Sequence, residues 1–282
     1  MSDRAAQSEA FERLGERIAA ALERIAPPSA PPVDWTAAPA YVWDGAAARP
    51  VPAIEAPALD QLRGIDRQKD TVVGNVARLA AGHAAHDMLL WGARGMGKSA
   101  LVRAASRAAA ADSGGDLALV QVAPHALASL PTLFSALEGV SRNFLVYLDD
   151  LGFADGDSAG PRQLRSWLEG GVEARPVNVR LAVTSNLRSL VPKRLSDQDD
   201  PVNPRDALDD LQALSDRFGL SVGFHAASQD DYLAIVAAYA DSLGLAWDAS
   251  EALEWSRRRG ARSGRTAWQF VTELAGRAGR AF

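Results

Sequence analysis

The stretch from Met88 to Ser99 constrains this chain more than any other. An apolar run, Met88-Leu89-Leu90-Trp91, leads into Gly92-Ala93-Arg94-Gly95-Met96-Gly97-Lys98-Ser99, and a helix-favouring segment, Ala100 to Ala105, follows. Strand, glycine loop, helix is the order that a phosphate-binding loop requires. The glycines let backbone N–H groups curl around phosphate oxygens where a Cβ would block approach. The first helical turn adds unpaired N–H groups and a positive dipole end. Lys98 is expected to reach the β- and γ-phosphates, and the Ser99 hydroxyl to ligate Mg²⁺. The pattern Gly-x-x-x-x-Gly-Lys-Ser should arise by chance in roughly one chain in a hundred of this length, and the flanking elements make it rarer. Residues Gly92 through Ala100 are therefore the expected phosphate cradle.

Composition narrows the classes. A chain of 282 residues makes one large domain or two smaller ones. A formal charge of −5 argues against general attraction to nucleic acid or anionic lipid, though not against a local basic patch. The absence of cysteine excludes disulfides, thiolate zinc sites and iron–sulfur clusters, and it fits a reducing compartment, so the expected location is the cytoplasm. No apolar stretch approaches the ~18 residues of a membrane span, and no membrane partner is expected. His83 and His86 sit three apart without further ligands around them, which reads as a solvated turn.

In chain order, residues 8 to 26 read as a helix with an apolar stripe of Phe11, Leu14, Ile18, Leu22 and Ile25. It suits either packing on its own domain or docking and oligomerisation. Residues 27 to 58 hold eight of the 15 prolines, which rules out regular helix or central strand. Because Trp35, Tyr41 and Trp43 lie there too, the expectation is an extended arm that lays its aromatics on a surface. From residue 59 a globular domain begins. Gly64-Ile65-Asp66-Arg67-Gln68-Lys69 opens a helix towards Ala80, and in a nucleotide-binding fold this segment, with Ile65, lies over the base. After the glycine loop come a helix to about Ala111, a buried strand Leu117–Val122 and a helix Leu127–Glu138.

The run Asn143-Phe144-Leu145-Val146-Tyr147-Leu148 ends in Asp149-Asp150. An apolar strand ending in a carboxylate presents a Mg²⁺ ligand at the sheet's carboxyl edge, where α/β folds bind ligands. Asp149 is the expected metal ligand, and Asp150 the group that orients the attacking water. Phe153 to Pro161 reads as a mobile loop and Arg162–Glu169 as a helix. The strand Val179–Thr184 ends in Ser185-Asn186, whose amide is expected to hold water near the γ-phosphate. An acidic segment, 196 to 210, precedes Leu214-Ser215-Asp216-Arg217-Phe218-Gly219 and a strand near Leu220–Phe224. From Gln229 the pattern is helical throughout, with helices near Ser250–Arg259 and Gly264–Arg277. Strands alternating with helices and then ceasing imply a parallel-sheet domain, 59–225, followed by a small helical one, 226–282.

Together these motifs resemble the AAA+ ATPases. Gly92–Ser99 looks like Walker A, Phe144–Asp150 like Walker B, and Asn186 like the sensor 1 residue. Arg217 resembles the arginine finger, with Arg175 and Arg188 as rivals, and Arg265 resembles sensor 2. From about Leu62 to Gly276 the chain is similar to a bacterial family called domain of unknown function 815. The runs Gly64–Lys69, Leu89–Ser99, Leu168–Pro176 and Leu214–Leu220 carry that likeness. The resemblance implies a P-loop fold with a five-stranded parallel sheet and a helical lid, ATP and Mg²⁺ as cofactors, and hydrolysis between subunits of an ATP-promoted homo-oligomer, ring or helix. It implies remodelling or loading of a macromolecular client, protein or DNA. Arg265 would act within its own subunit and Arg217 on its neighbour's nucleotide. Two departures stand out. Asp150 replaces the glutamate of many members. Between Val120 and Leu148 there is no aromatic–apolar–Gly loop, which argues against threading of a polypeptide. Acidic 197–210 and the lid arginines Arg257, Arg258, Arg259 and Arg262 suit a head-to-tail contact. The competing reading is a low-turnover, ATP-dependent module that tethers partners through residues 1–58.

Overall fold

The computed structural model describes residues 13–18, 33–151, 175–186 and 217–281. The expected helix 162–169, the loop 153–161, the acidic segment 196–210, Arg188, and all of the 8–26 helix but residues 13–18 lie outside the described residues. Residues 13–18 are helical (α1), and Leu14 and Ile18 on them are exposed.

The remainder is built on one seven-stranded sheet of order β2-β1-β4-β5-β6-β3-β7. Its strands are β1 (Ala40–Trp43), β2 (Ala48–Val51), β3 (Met88–Gly92), β4 (Leu117–Val122), β5 (Asn143–Leu148), β6 (Val179–Ser185) and β7 (Leu220–Phe224). All neighbours pair in parallel except β1 with β2. The five strands expected from the apolar runs are β3 to β7; β3 to β6 are buried along nearly their whole length, as strands covered on both faces must be, while β7, at the sheet's edge, buries only Val222 and Phe224.

The two further strands come from the proline-rich segment. Trp35, Tyr41 and Trp43 are buried, and the Trp35 ring lies 4.9 Å from Tyr41 and 5.9 Å from Phe144, edge-on to the latter. Tyr41 pairs with Pro50 of β2, and because β2 is an edge strand, proline's missing N–H breaks no ladder. Arg142, itself buried, fastens this segment by donating to the carbonyls of Trp35 (2.8 Å), Ala38 (2.7 Å) and Leu117 (3.1 Å). The arm thus becomes sheet because its aromatics have a hydrophobic face to cover and its backbone has β4 to pair with.

Helix α2 (Asp66–Ala80) buries Val72, Val76, Leu79 and Ala80 at three- and four-residue steps. Its Asn75 brackets the chain before β3, bonding both the carbonyl and the N–H of His86 at 2.9 Å. Helix α3 (Lys98–Asp112) springs from the glycine loop. Where one helix was expected at Leu127–Glu138, residues Pro124–Ser129 form a 3₁₀ turn and α4 spans only Leu130–Leu137, with Pro131 in its first turn. The lid comprises α5 (Gln229–Ser242), α6 (Ala249–Arg258) and α7 (Gly264–Arg277), each started by a side chain that caps it: Ser228, Asp248 and Ser263. Tyr232, Val236, Phe270 and Val271 are the fully buried centre of its core. Among the described residues no helix is long and apolar enough to cross a membrane.

Candidate functional site

The parallel register brings three strand ends together at the carboxyl edge. β3 runs into the glycine loop, β5 into Asp149-Asp150, and β6 into Asn186. Trp91 pairs with Ser185 and Leu148 with Val183, so Asp149 falls opposite Thr184. Two glycines of the loop are obligatory. Gly92 has φ 119°, and a Cβ there would stand 2.0 Å from the Phe224 carbonyl, which accepts the Ala93 N–H at 2.9 Å. Gly95 has φ 75°, and a Cβ would meet Ser263 Oγ at 2.8 Å, because the start of α7 lies directly against the loop. There the Arg265 N–H donates to the Gly95 carbonyl at 3.2 Å.

Lys98 is 6% exposed, and its ammonium spends its three donors on Gly92 O (2.8 Å), Ala93 O (2.9 Å) and Asn186 Oδ1 (3.0 Å). Burial lowers its pKa from the ordinary lysine value; the carboxylates of Asp150 and Asp149 oppose that incompletely, and Arg265 and Arg94 add to it. Ser99 Oγ donates to Asp149 Oδ1 at 2.7 Å, and Thr184 Oγ1 to the same oxygen at 2.8 Å. Burial works to raise the Asp149 pKa but is outweighed by the surrounding hydroxyls of Tyr147, Ser99 and Thr184, so the carboxylate sits below its usual range. Thr184 Oγ1 also accepts the Asp150 N–H at 2.8 Å. Asp150 itself adopts φ 50°, the left-handed region that aspartate enters more readily than most residues, and its carboxylate accepts from the Asn186 amide. One hydroxyl, Thr184, therefore ties both aspartates together. It stands outside the motif residues, and only the β5–β6 register could have singled it out.

A cleft of about 740 Å³ opens over these groups. Its floor includes Gly95 through Ala100, Asp149, Asp150 and Asn186; Arg265 enters from the lid. The far wall joins Ala56, Pro57 and Gln61 to Tyr239, Leu243 and Trp268. Arg107 of α3 holds the first two by donating to their carbonyls at 2.6 and 3.0 Å, and the rings of Tyr239 and Trp268 meet edge to face at 5.2 Å. Ile65 is not part of this wall. It is buried in the core, its Cδ1 3.6 Å from where a Cβ on Gly97 would be. Met96 is buried as well, while Arg94 is exposed.

The donor set fits a nucleoside triphosphate with Mg²⁺. The glycine loop leaves room that a Cβ would fill, and the ammonium, one hydroxyl and one carboxylate face a common space. Among the described residues no group of three or more His, Asp or Glu could hold a metal. The sparse pair Ser99 and Asp149 is the kind Mg²⁺ uses when phosphates and water supply the rest.

The arginines divide by edge. Arg217 is exposed and three residues ahead of β7, whose Leu220 pairs with Met88, so it lies at the amino edge. Along β3 the two edges are separated by four steps of ~3.3 Å, about 13 Å, so Arg217 is remote from its own Lys98. Arg175 is also at the amino edge, paired with Asp87 at 2.8 Å; Asp87 in turn accepts the Leu181 N–H at 2.8 Å.

Known proteins share this fold. Among curated proteins none matches the sequence. The RuvB of Thermotoga maritima, a Holliday junction branch migration motor, aligns with a TM-score of 0.51 and 15% identity, covering 80% of this chain and 68% of its own. The ORC1 protein of Aeropyrum pernix, solved in complex with DNA, aligns with a TM-score of 0.53 and 15% identity, covering 78% and 65%. Identities so low speak for the fold alone, and the fold they share is the AAA+ one. The family described as Protein of unknown function (DUF815) matches residues 36–278. The chain belongs to that family.

Proposed function

We propose that this protein binds ATP with Mg²⁺ in the cleft beneath the lid and hydrolyses it between subunits to remodel or load a macromolecular client. The observation that carries the reading is the convergence of Lys98, Ser99, Asp149, Asp150 and Asn186 on one space that Arg265 enters from the lid. Ser99 and Asp149 would hold Mg²⁺, whose charge would offset that of the phosphates. Lys98 exchanges its bonds to the Gly92 and Ala93 carbonyls for phosphate oxygens. Asp150 and Asn186, already bonded to each other, hold the attacking water, and Asp150 takes its proton. Tyr239 and Trp268 offer the base an aromatic wall. Because Arg217 is remote from its own Lys98, its natural target is the nucleotide of the next subunit, which makes turnover depend on assembly.

Assembly has a charge argument too. Arg258 is engaged with Glu254, and Arg259 lies over the Trp255 ring at 3.6 Å. Arg257 and Arg262 flank a hollow of about 240 Å³ with no partner among the described residues, and they are available to an acidic face of a neighbour. The two structural neighbours named above, one a branch migration motor and one bound to DNA, favour a macromolecular client. The test is turnover and nucleotide binding in the wild type, Lys98→Ala and Asp150→Asn. Asparagine tolerates the left-handed backbone at 150, so that variant should fold, bind ATP and fail to hydrolyse it; Lys98→Ala should bind weakly. Equal, negligible turnover in all three, with and without candidate clients, would leave the tethering role, for which the exposed Leu14 and Ile18 are the natural contact.

A further inference from the structure

Tyr147 has appeared so far only as one of the hydroxyls around Asp149, yet its surroundings are unusual. Alternation along β5 sends Tyr147 and Asp149 to the same side of the sheet, the side covered by α3. The tyrosine is fully buried, and its strand neighbour across β6 is the small Ala182, which leaves room for the ring. Its hydroxyl is enclosed and makes no hydrogen bond of proper geometry. The β5–β6 register nonetheless places it beside Asp149 and Thr184, on the face where α3 brings Ser99 to the Asp149 carboxylate. A phenylalanine would fill the same space without the cost of a buried hydroxyl left unpaired. An orphaned donor beside a carboxylate that already holds two hydroxyls is a reserve, not an accident of packing.

We propose that Tyr147 is a positioning residue for the divalent cation: its hydroxyl is the donor that keeps the Asp149 carboxylate fixed when Ser99 Oγ turns to ligate the metal. This rests on the reading of Ser99 and Asp149 as the Mg²⁺ pair. In the present arrangement Asp149 Oδ1 is held by Ser99 and Thr184. Tyr147, on the same strand and two residues away, is rigidly packed and can replace a departing partner without rearrangement of the core. Partners of this kind behind a metal ligand are commonly worth about 10–100-fold in metal affinity.

The variant Tyr147→Phe, made in the full chain, separates this role from mere packing. Two quantities are read: the thermal midpoint without nucleotide or metal, and the Mg²⁺ concentration that half-saturates the signal of a fluorescent ATP analogue, with a metal-free titration in EDTA beside it. The expected result is a midpoint unchanged or raised, metal-free analogue binding unchanged, and half-saturation shifted to about tenfold higher Mg²⁺ or more. A lowered midpoint with parallel loss of metal-free binding would mean that the ring only packs, and the proposal falls. An unshifted Mg²⁺ response, where the wild type does respond, overturns it while leaving the site intact. A wild type indifferent to Mg²⁺ overturns the underlying site assignment instead, and this proposal with it.

Discussion

Thr184→Val removes one oxygen and leaves the shape of the side chain almost unchanged. That oxygen donates to Asp149 Oδ1 at 2.8 Å and accepts the Asp150 N–H at 2.8 Å, and the residue is 1% exposed. Loss of a donor to a carboxylate costs about 1.5–3 kcal/mol, and loss of the backbone bond about 0.5–1 kcal/mol where water can replace the acceptor. Asp149 is half-buried and Asp150 exposed, so water relieves part of the loss and the sum falls near the lower bound, about 2 kcal/mol. For a chain of this size that lowers the thermal midpoint by about 4–8 °C, and the fold survives because total stabilities run to about 5–15 kcal/mol. The functional effect should be larger than the structural one, since one substitution releases both aspartates of the proposed site. Thermal unfolding and Mg²⁺-dependent analogue binding, measured beside Thr184→Ser, check this. Serine keeps the hydroxyl and should retain most of the Mg²⁺ response. If valine and serine behave alike in both assays, the hydroxyl bridge has no importance and the reasoning is refuted.

Two further expectations follow from the arginines. Arg217→Ala should leave nucleotide binding unchanged and reduce steady-state turnover by a factor of about 10³ or more; mixing it with Lys98→Ala subunits should restore part of the activity, because each supplies what the other lacks, and absence of complementation would count against action in trans. Arg142→Ala strips three carbonyls of their donor at the root of β1, which should cost at least about 3 kcal/mol and expose Trp35 and Trp43, seen as a red shift in tryptophan emission and faster proteolysis between residues 35 and 57.

What could be read from the chain was whatever a few neighbouring residues encode. The glycine loop, the apolar strand ending in Asp149-Asp150 and the helical stripe of Tyr232, Ile235 and Val236 are local signals, and each corresponds to an element of the structure. What escaped depends on pairing across long stretches of chain. β1 and β2 are four residues each, with Pro39, Pro50 and Pro52 in or beside them, so no periodicity develops, and the hairpin joins the main sheet only through β1's pairing with β4, some eighty residues later. Ile65 was expected over the base because its segment precedes the loop; whether its side chain faces the cleft or the core is decided by the turn into α2, and it faces the core. Arg175 could be a rival finger on paper because Asp87, its partner, is 88 positions away. Thr184 and Tyr147 look like ordinary strand residues until registers with Asp149 are known.

The outer rim of β2 has a consequence for how copies meet. Tyr41 and Pro50 are partners, and proline fits only where its nitrogen points away from β1. Alternation gives the same outward aspect to Pro52, immediately beyond the strand. Two successive positions along that margin therefore lack an amide hydrogen, and a visiting strand would find acceptors with nothing to complement them. The sheet is finished on that side, and any contact between copies at the β2 margin would be made by side chains and helices, not by a continued ladder.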